Sequence, residues 1–132
     1  MHGLHLTADL HDCRCDSLWL LDAARLGTAC RGAAQAAGLQ VVNEVFHSFP
    51  HSAHGPGGVT ATLLLAESHL CIHTWPEQRA VTLDVYVCNF GGDHSAKAQA
   101  LMDALLALFL PQRTERHQLQ RGAIASTFTP TP

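Results

Sequence analysis

Leu4, Leu6, Ala8 and Leu10 alternate with His5, Thr7 and Asp9 over residues 3–11, the period-two pattern of a strand with one buried face. From Ser17 the period lengthens. Leu20, Leu21, Ala24, Ala29, Ala33, Ala34 and Ala37 recur at helical spacing, with Asp16 placed to cap the start and Gly38 to stop the end. A second strand is predicted over residues 39–49, carrying Val41, Val42, Val45 and Phe46. Residues 50–58 hold Pro50, Gly55, Pro56, Gly57 and Gly58, the composition of a loop. Residues 59–66 are too apolar for a half-exposed strand and read as a central one. Residues 70–74 continue as a short strand, and Trp75-Pro76-Glu77 turns the chain. Residues 80–88 alternate again and end in a second loop, 89–93. A helix over residues 94–110 buries Ala98, Leu101, Leu105, Leu108 and Phe109, and a last strand covers residues 114–121.

The predicted order is β-α-β-β-β-β-α-β. Short turns between most strands make the sheet mainly antiparallel, so the expectation is an α+β two-layer sandwich with two helices on one face. The other face then needs cover, and a second copy of the chain is the simplest candidate. The 132 residues suit one domain, expected over residues 1–124, with the Thr/Pro-rich residues 125–132 as a disordered tail. Charge narrows the function. A net charge of −3 with Lys97 the single lysine does not supply the basic stripe that a nucleic-acid surface needs. No apolar run is long enough to span a membrane, and the N-terminal residues lack a signal-peptide pattern, so the expected location is cytoplasmic. Five cysteines, an odd number without paired spacing, read as free thiols in a reducing compartment.

The chemistry concentrates in Ala66-Glu67-Ser68-His69-Leu70-Cys71-Ile72-His73-Thr74-Trp75-Pro76-Glu77. A serine hydroxyl at the end of a buried strand can attack the carbonyl of the residue before it, and a histidine five positions on can move the protons. Each residue has an ordinary role when taken alone. Ser68 satisfies a backbone donor, His73 is a hydrogen-bonded strand histidine, Trp75 is core, and Cys88 is a small buried hydrophobe. Their joint arrangement is specific.

Glu67-Ser68-His69 followed by Ile72-His73-Thr74-Trp75-Pro76-Glu77 resembles the prokaryotic S-adenosylmethionine decarboxylase proenzyme family. The likeness runs from Gly3-Leu4-His5-Leu6 through Val45-Phe46-His47 and Gly58-Val59-Thr60 to Cys88. It implies self-cleavage between Glu67 and Ser68 and conversion of Ser68 into a covalent pyruvoyl cofactor. It implies that His73 takes the Cα proton during processing, that Thr60 supports processing, and that Cys88 is catalytic. Glu77 falls on the substrate side, and Phe49 offers an aromatic face. The implied protein is a homodimer with sites near the interface, acting in polyamine (spermidine) biosynthesis. The chemistry is coherent in itself. Decarboxylating an α-amino acid leaves a carbanion, and a pyruvoyl Schiff base is the electron sink it needs. Thiols of ordinary acidity, with a pKa of ~8.5, are mostly protonated at neutral pH and can return the proton.

The chain departs from the family pattern around the pocket. Aromatic and glycine residues commonly follow Trp-Pro-Glu, where this chain has Gln78-Arg79-Ala80. The cysteine is flanked by Val87 and Asn89, and the loop bearing His51 and His54 is longer than usual. The alternative substrates are therefore arginine or ornithine on the same fold. A non-processed regulatory homologue is a further reading, and so is a metal protein using His47, His51 and His54 or His69, Cys71 and His73. No metal is expected, because neither set completes a four-ligand site of familiar spacing.

Overall fold

The alternation of the first segment folds as predicted: β1 (Gly3–Cys13) buries Leu4, Leu6, Ala8 and Leu10 on one face. This is a computed structural model, and it describes residues 2–122, so the expected tail 125–132 lies outside the described residues. The expected first helix is interrupted. A short α1 (Leu18–Leu21) ends at Asp22, whose extended backbone (φ −102°, ψ 102°) breaks the helix. The Asp22 carboxylate then accepts from the Arg25 N–H at 3.1 Å and caps α2 (Ala23–Ala36). The chain continues through β2 (Val41–Ser48), β3 (Val59–Leu65), β4 (Ser68–Trp75), a 3₁₀ turn (Pro76–Gln78) and β5 (Ala80–Cys88). It closes with α3 (Ser95–Phe109) and β6 (Pro111–Arg121).

The strands form one six-stranded sheet in the order β2-β3-β4-β5-β1-β6, antiparallel throughout. The helices lie on one face. Leu26, Cys30 and Ala34 of α2 and Ala98, Leu101, Met102, Leu105 and Phe109 of α3 are buried there against Leu6, Leu63, Leu70, Ile72 and Val85. This is the expected α+β two-layer arrangement.

The strand registers define the opposite, open face as rows of side chains. One row runs Leu64, His69, Tyr86, His5, Leu119. The next runs Val45, Thr62, Cys71, Asp84, Thr7, His117, and a third His47, Thr60, His73, Thr82, Asp9, Glu115. Threonines, histidines and exposed apolar groups fill most of these positions, Asp9, Asp84 and Glu115 are the carboxylates among them, and none is a lysine. Among the described residues no helix is long and apolar enough to cross a membrane.

Candidate active site

Two clusters form at opposite ends of β4. At its N-terminal end, β3 and β4 pair up to Leu65 and Ser68, leaving Ala66 and Glu67 as a two-residue turn. Glu67 has φ +56°, in the left-handed region, which costs a non-glycine residue roughly 1 kcal/mol. The peptide bond expected to break is therefore the one that follows a strained residue. Ser68 is half-buried, and its Oγ accepts a hydrogen bond from the Cys88 N–H at 3.3 Å. Ser68 and Cys88, twenty positions apart in sequence, meet because β4 and β5 form a hairpin and Cys88 ends the second strand.

At the other end, Thr60 and His73 pair directly across β3 and β4, and Thr60 Oγ1 lies 3.0 Å from His73 Nδ1. They stand at the rim of a pocket of about 610 Å³ that Phe49, Trp75, Glu77 and residues of the 50–58 loop also line. Gly57 and Gly58 let this loop approach the sheet, because a Cβ at either position would stand 2.2 Å from the Phe49 carbonyl oxygen or 2.1 Å from that of Thr74. Thr74 fixes the pocket's base. Its buried hydroxyl donates to the Leu20 carbonyl at 2.8 Å and accepts from the Val59 N–H at 2.8 Å.

Thr60, His73, Phe49 and Glu77 are thus brought together, and Ser68 is brought to Cys88, but one chain does not join the two groups. Five residues of extended strand separate Ser68 from His73, about 16 Å at ~3.3 Å per residue. Leu70, Ile72 and Thr74 point to the helices, so His69, Cys71, His73 and Trp75 point to the open face. Trp75 consequently differs from the expected core residue: it is 45 % exposed and forms pocket wall.

Neither set of the alternative metal reading gathers among the described residues. Among the described residues the one group with ligating spacing is His5, His69 and Asp84, with polar atoms within 4.8 Å of one another. Arginine only donates, so the Arg121 Nη1 contact at 2.9 Å makes His5 Nδ1 an acceptor and puts the ring proton on Nε2. His5 Nε2 then donates to Asp84 Oδ2 at 2.9 Å, and His69 Nε2 lies 2.8 Å from the same oxygen. The group is a hydrogen-bonded triad that joins β1, β4 and β5. The sequence reading missed it, and the signal was the cross-strand register, which places Tyr86 directly opposite both histidines.

All five cysteines are free thiols. Burial pushes Cys13 up to about 11 and Cys30 up to about 12. Cys71 is raised mainly by burial, against the opposing hydrogen bond with Thr62. Burial thus disfavours the thiolate at these three, and Cys88 is the cysteine whose backbone N–H reaches Ser68.

Comparison with known proteins follows the same lines. A family model described as S-adenosylmethionine decarboxylase matches residues 4–122. An S-adenosylmethionine decarboxylase proenzyme of Parasynechococcus marenigrum is 42 % identical over 123 residues, covering 91 % of this chain and 83 % of that protein. One from Aquifex aeolicus is 36 % identical over 122 residues, covering 92 % and 82 %. The crystal structure of the adenosylmethionine decarboxylase from Aquifex aeolicus superposes with a TM-score of 0.78 at 33 % identity, covering 91 % of this chain and 90 % of that one.

Proposed function

Because the chain belongs to the S-adenosylmethionine decarboxylase family, we propose that it cleaves itself between Glu67 and Ser68 and then decarboxylates S-adenosylmethionine. The product would feed spermidine biosynthesis. The observation that carries this reading is Ser68 itself, half-buried after a left-handed Glu67 with its Oγ on the Cys88 N–H. In processing, Ser68 Oγ attacks the Glu67 carbonyl carbon, the C–N bond breaks, and an ester links the two residues. His73 takes the Ser68 Cα proton, the Glu67 carboxylate leaves, and hydrolysis of the resulting dehydroalanine releases ammonia. The Thr60 hydroxyl orients the His73 ring through Nδ1. The residues present fit the pyruvoyl group, because position 68 is half-buried, receives the Cys88 backbone N–H and begins a strand that holds it in place. When formed, that group supplies the electron sink for decarboxylation. Glu77 and Phe49 bind substrate from the pocket wall, and the Cys88 thiol returns the proton.

The separation of Ser68 from His73 supports a homodimer in which each site uses both chains. A two-fold axis lying between two open faces and across the strands reverses β4. One copy's Ser68 end then meets its partner's Thr60–His73 end. The expected location is cytoplasmic, in keeping with the free thiols.

Two measurements test the reading. Carbon dioxide release is expected from S-adenosylmethionine and not from arginine or ornithine. Turnover of either amino acid without turnover of S-adenosylmethionine transfers the assignment to the basic substrates. Cys88→Ser is expected to process normally, since only its backbone N–H meets Ser68, while turnover falls on the order of a hundredfold. Unchanged turnover removes the thiol from the proton step.

A further inference from the structure

Glu77 makes no hydrogen bond or ion pair to any described side chain or backbone group, so its place on the pocket wall comes from its backbone alone. That backbone is tied at two points. Thr74 anchors the strand just before it through the Leu20 carbonyl and the Val59 N–H. The anchor after it is Arg79. Arg79 Nε donates to the Cys13 carbonyl at 2.7 Å, Nη1 donates to Ser17 Oγ at 3.1 Å, and Nη2 donates to the Cys15 carbonyl. The Cys13 N–H returns a bond to the Arg79 carbonyl at 2.9 Å. All these bonds go to the last residue of β1 and the short connection that leads from it to α1.

The backbone of Arg79 gives a second, independent reason to look at its side chain. With φ +48°, Arg79 occupies the left-handed position that closes the 3₁₀ turn, its N–H donating to the Pro76 carbonyl at 3.1 Å. Glycine carries that conformation without strain, and arginine bears roughly 1 kcal/mol. The planar guanidinium fork reaches three acceptors at once, which glycine cannot do and a lysine ammonium cannot match. All three bonds of the fork go to Cys13, Cys15 and Ser17, and none goes to the Glu77 carboxylate.

We propose that Arg79 is a positioning residue for substrate binding. Its guanidinium straps the Trp75–Gln78 turn to the β1–α1 connection and holds Glu77 and Trp75 on the pocket wall. This inference rests on the reading above that the pocket takes the substrate.

The test compares Arg79→Gly, Arg79→Lys, Glu77→Gln and the double variant Glu77→Gln/Arg79→Gly. Arg79→Gly relieves the backbone and removes the strap, so processing on a denaturing gel should be complete and kcat should stay within about twofold. KM should rise about tenfold, and Arg79→Lys should lose as much. If Arg79 acts through Glu77, the double variant should have a KM no higher than Glu77→Gln alone. An unchanged KM in Arg79→Gly, or single effects that multiply in the double variant, overturns the proposal. Amide hydrogen exchange across the turn supplies a readout independent of turnover. In Arg79→Gly, exchange should rise at Trp75, Glu77 and Gln78 and not in α2 or α3. If the wild-type protein turns over none of the three substrates, the activity reading fails, and the exchange result alone decides whether Arg79 is the strap.

Discussion

Ser68→Ala is expected to remain one chain on a denaturing gel and to release no carbon dioxide from any substrate. The wild-type protein should give two fragments of nearly equal size, residues 1–67 and 68–132. The effect should be complete rather than partial, because the substitution deletes the only atom that attacks the Glu67 carbonyl, and the same atom's loss prevents the cofactor from forming. A structural explanation is easily separated. Ser68 Oγ contributes one hydrogen bond, from the Cys88 N–H, worth about 1 kcal/mol. Ser68→Ala should therefore unfold within a few degrees of the unprocessed wild-type chain. Two fragments from Ser68→Ala, or a wild-type chain that stays whole on long incubation, would defeat the self-processing reading.

How much of this was legible in the sequence depended on which forces were local. The alternation of Leu4, Leu6, Ala8 and Leu10 and the helical spacing of Ala98, Leu101 and Leu105 match the buried sets they form, because each follows from the geometry of a single element. The break at Asp22 was hidden, since apolar residues continue through it, and a capping bond to Arg25 outweighs the helix that composition favours. The start of β6 at Pro111 was hidden in the same way: its pairing with Cys13 is set by the partner strand. Ser68 and Cys88 could be related from the single β4–β5 hairpin that joins them. Trp75 could not be placed, because alternation puts it with His69, Cys71 and His73 but does not say which face the helices leave open. Arg79 gave no periodic signal at all, since its role lies in a left-handed turn and in bonds to residues more than sixty positions away.

His73→Ala is expected to stay uncleaved when expressed alone, yet to be cleaved when co-expressed with Ser68→Ala. The Thr60–His73 pair and Ser68 occupy opposite ends of one eight-residue strand, too far apart for proton transfer within a chain. A mixed dimer restores one complete site. The Ser68→Ala chain lends its His73 to the intact Ser68 of its partner, while the second site lacks both groups. Random pairing of equal amounts puts roughly half of the His73→Ala chains in mixed dimers, which bounds the cleaved fraction. Different tags on the two chains identify which one is cut, and only the His73→Ala chain should yield fragments. Cleavage of His73→Ala by itself would remove His73 from the reaction. Absence of cleavage in a mixture shown to contain mixed dimers would mean that His73 serves its own chain, and the two ends of β4 would then have to approach by a rearrangement of the β3–β4 hairpin. The outcome therefore decides between a site built by a two-fold axis and one built by a single chain.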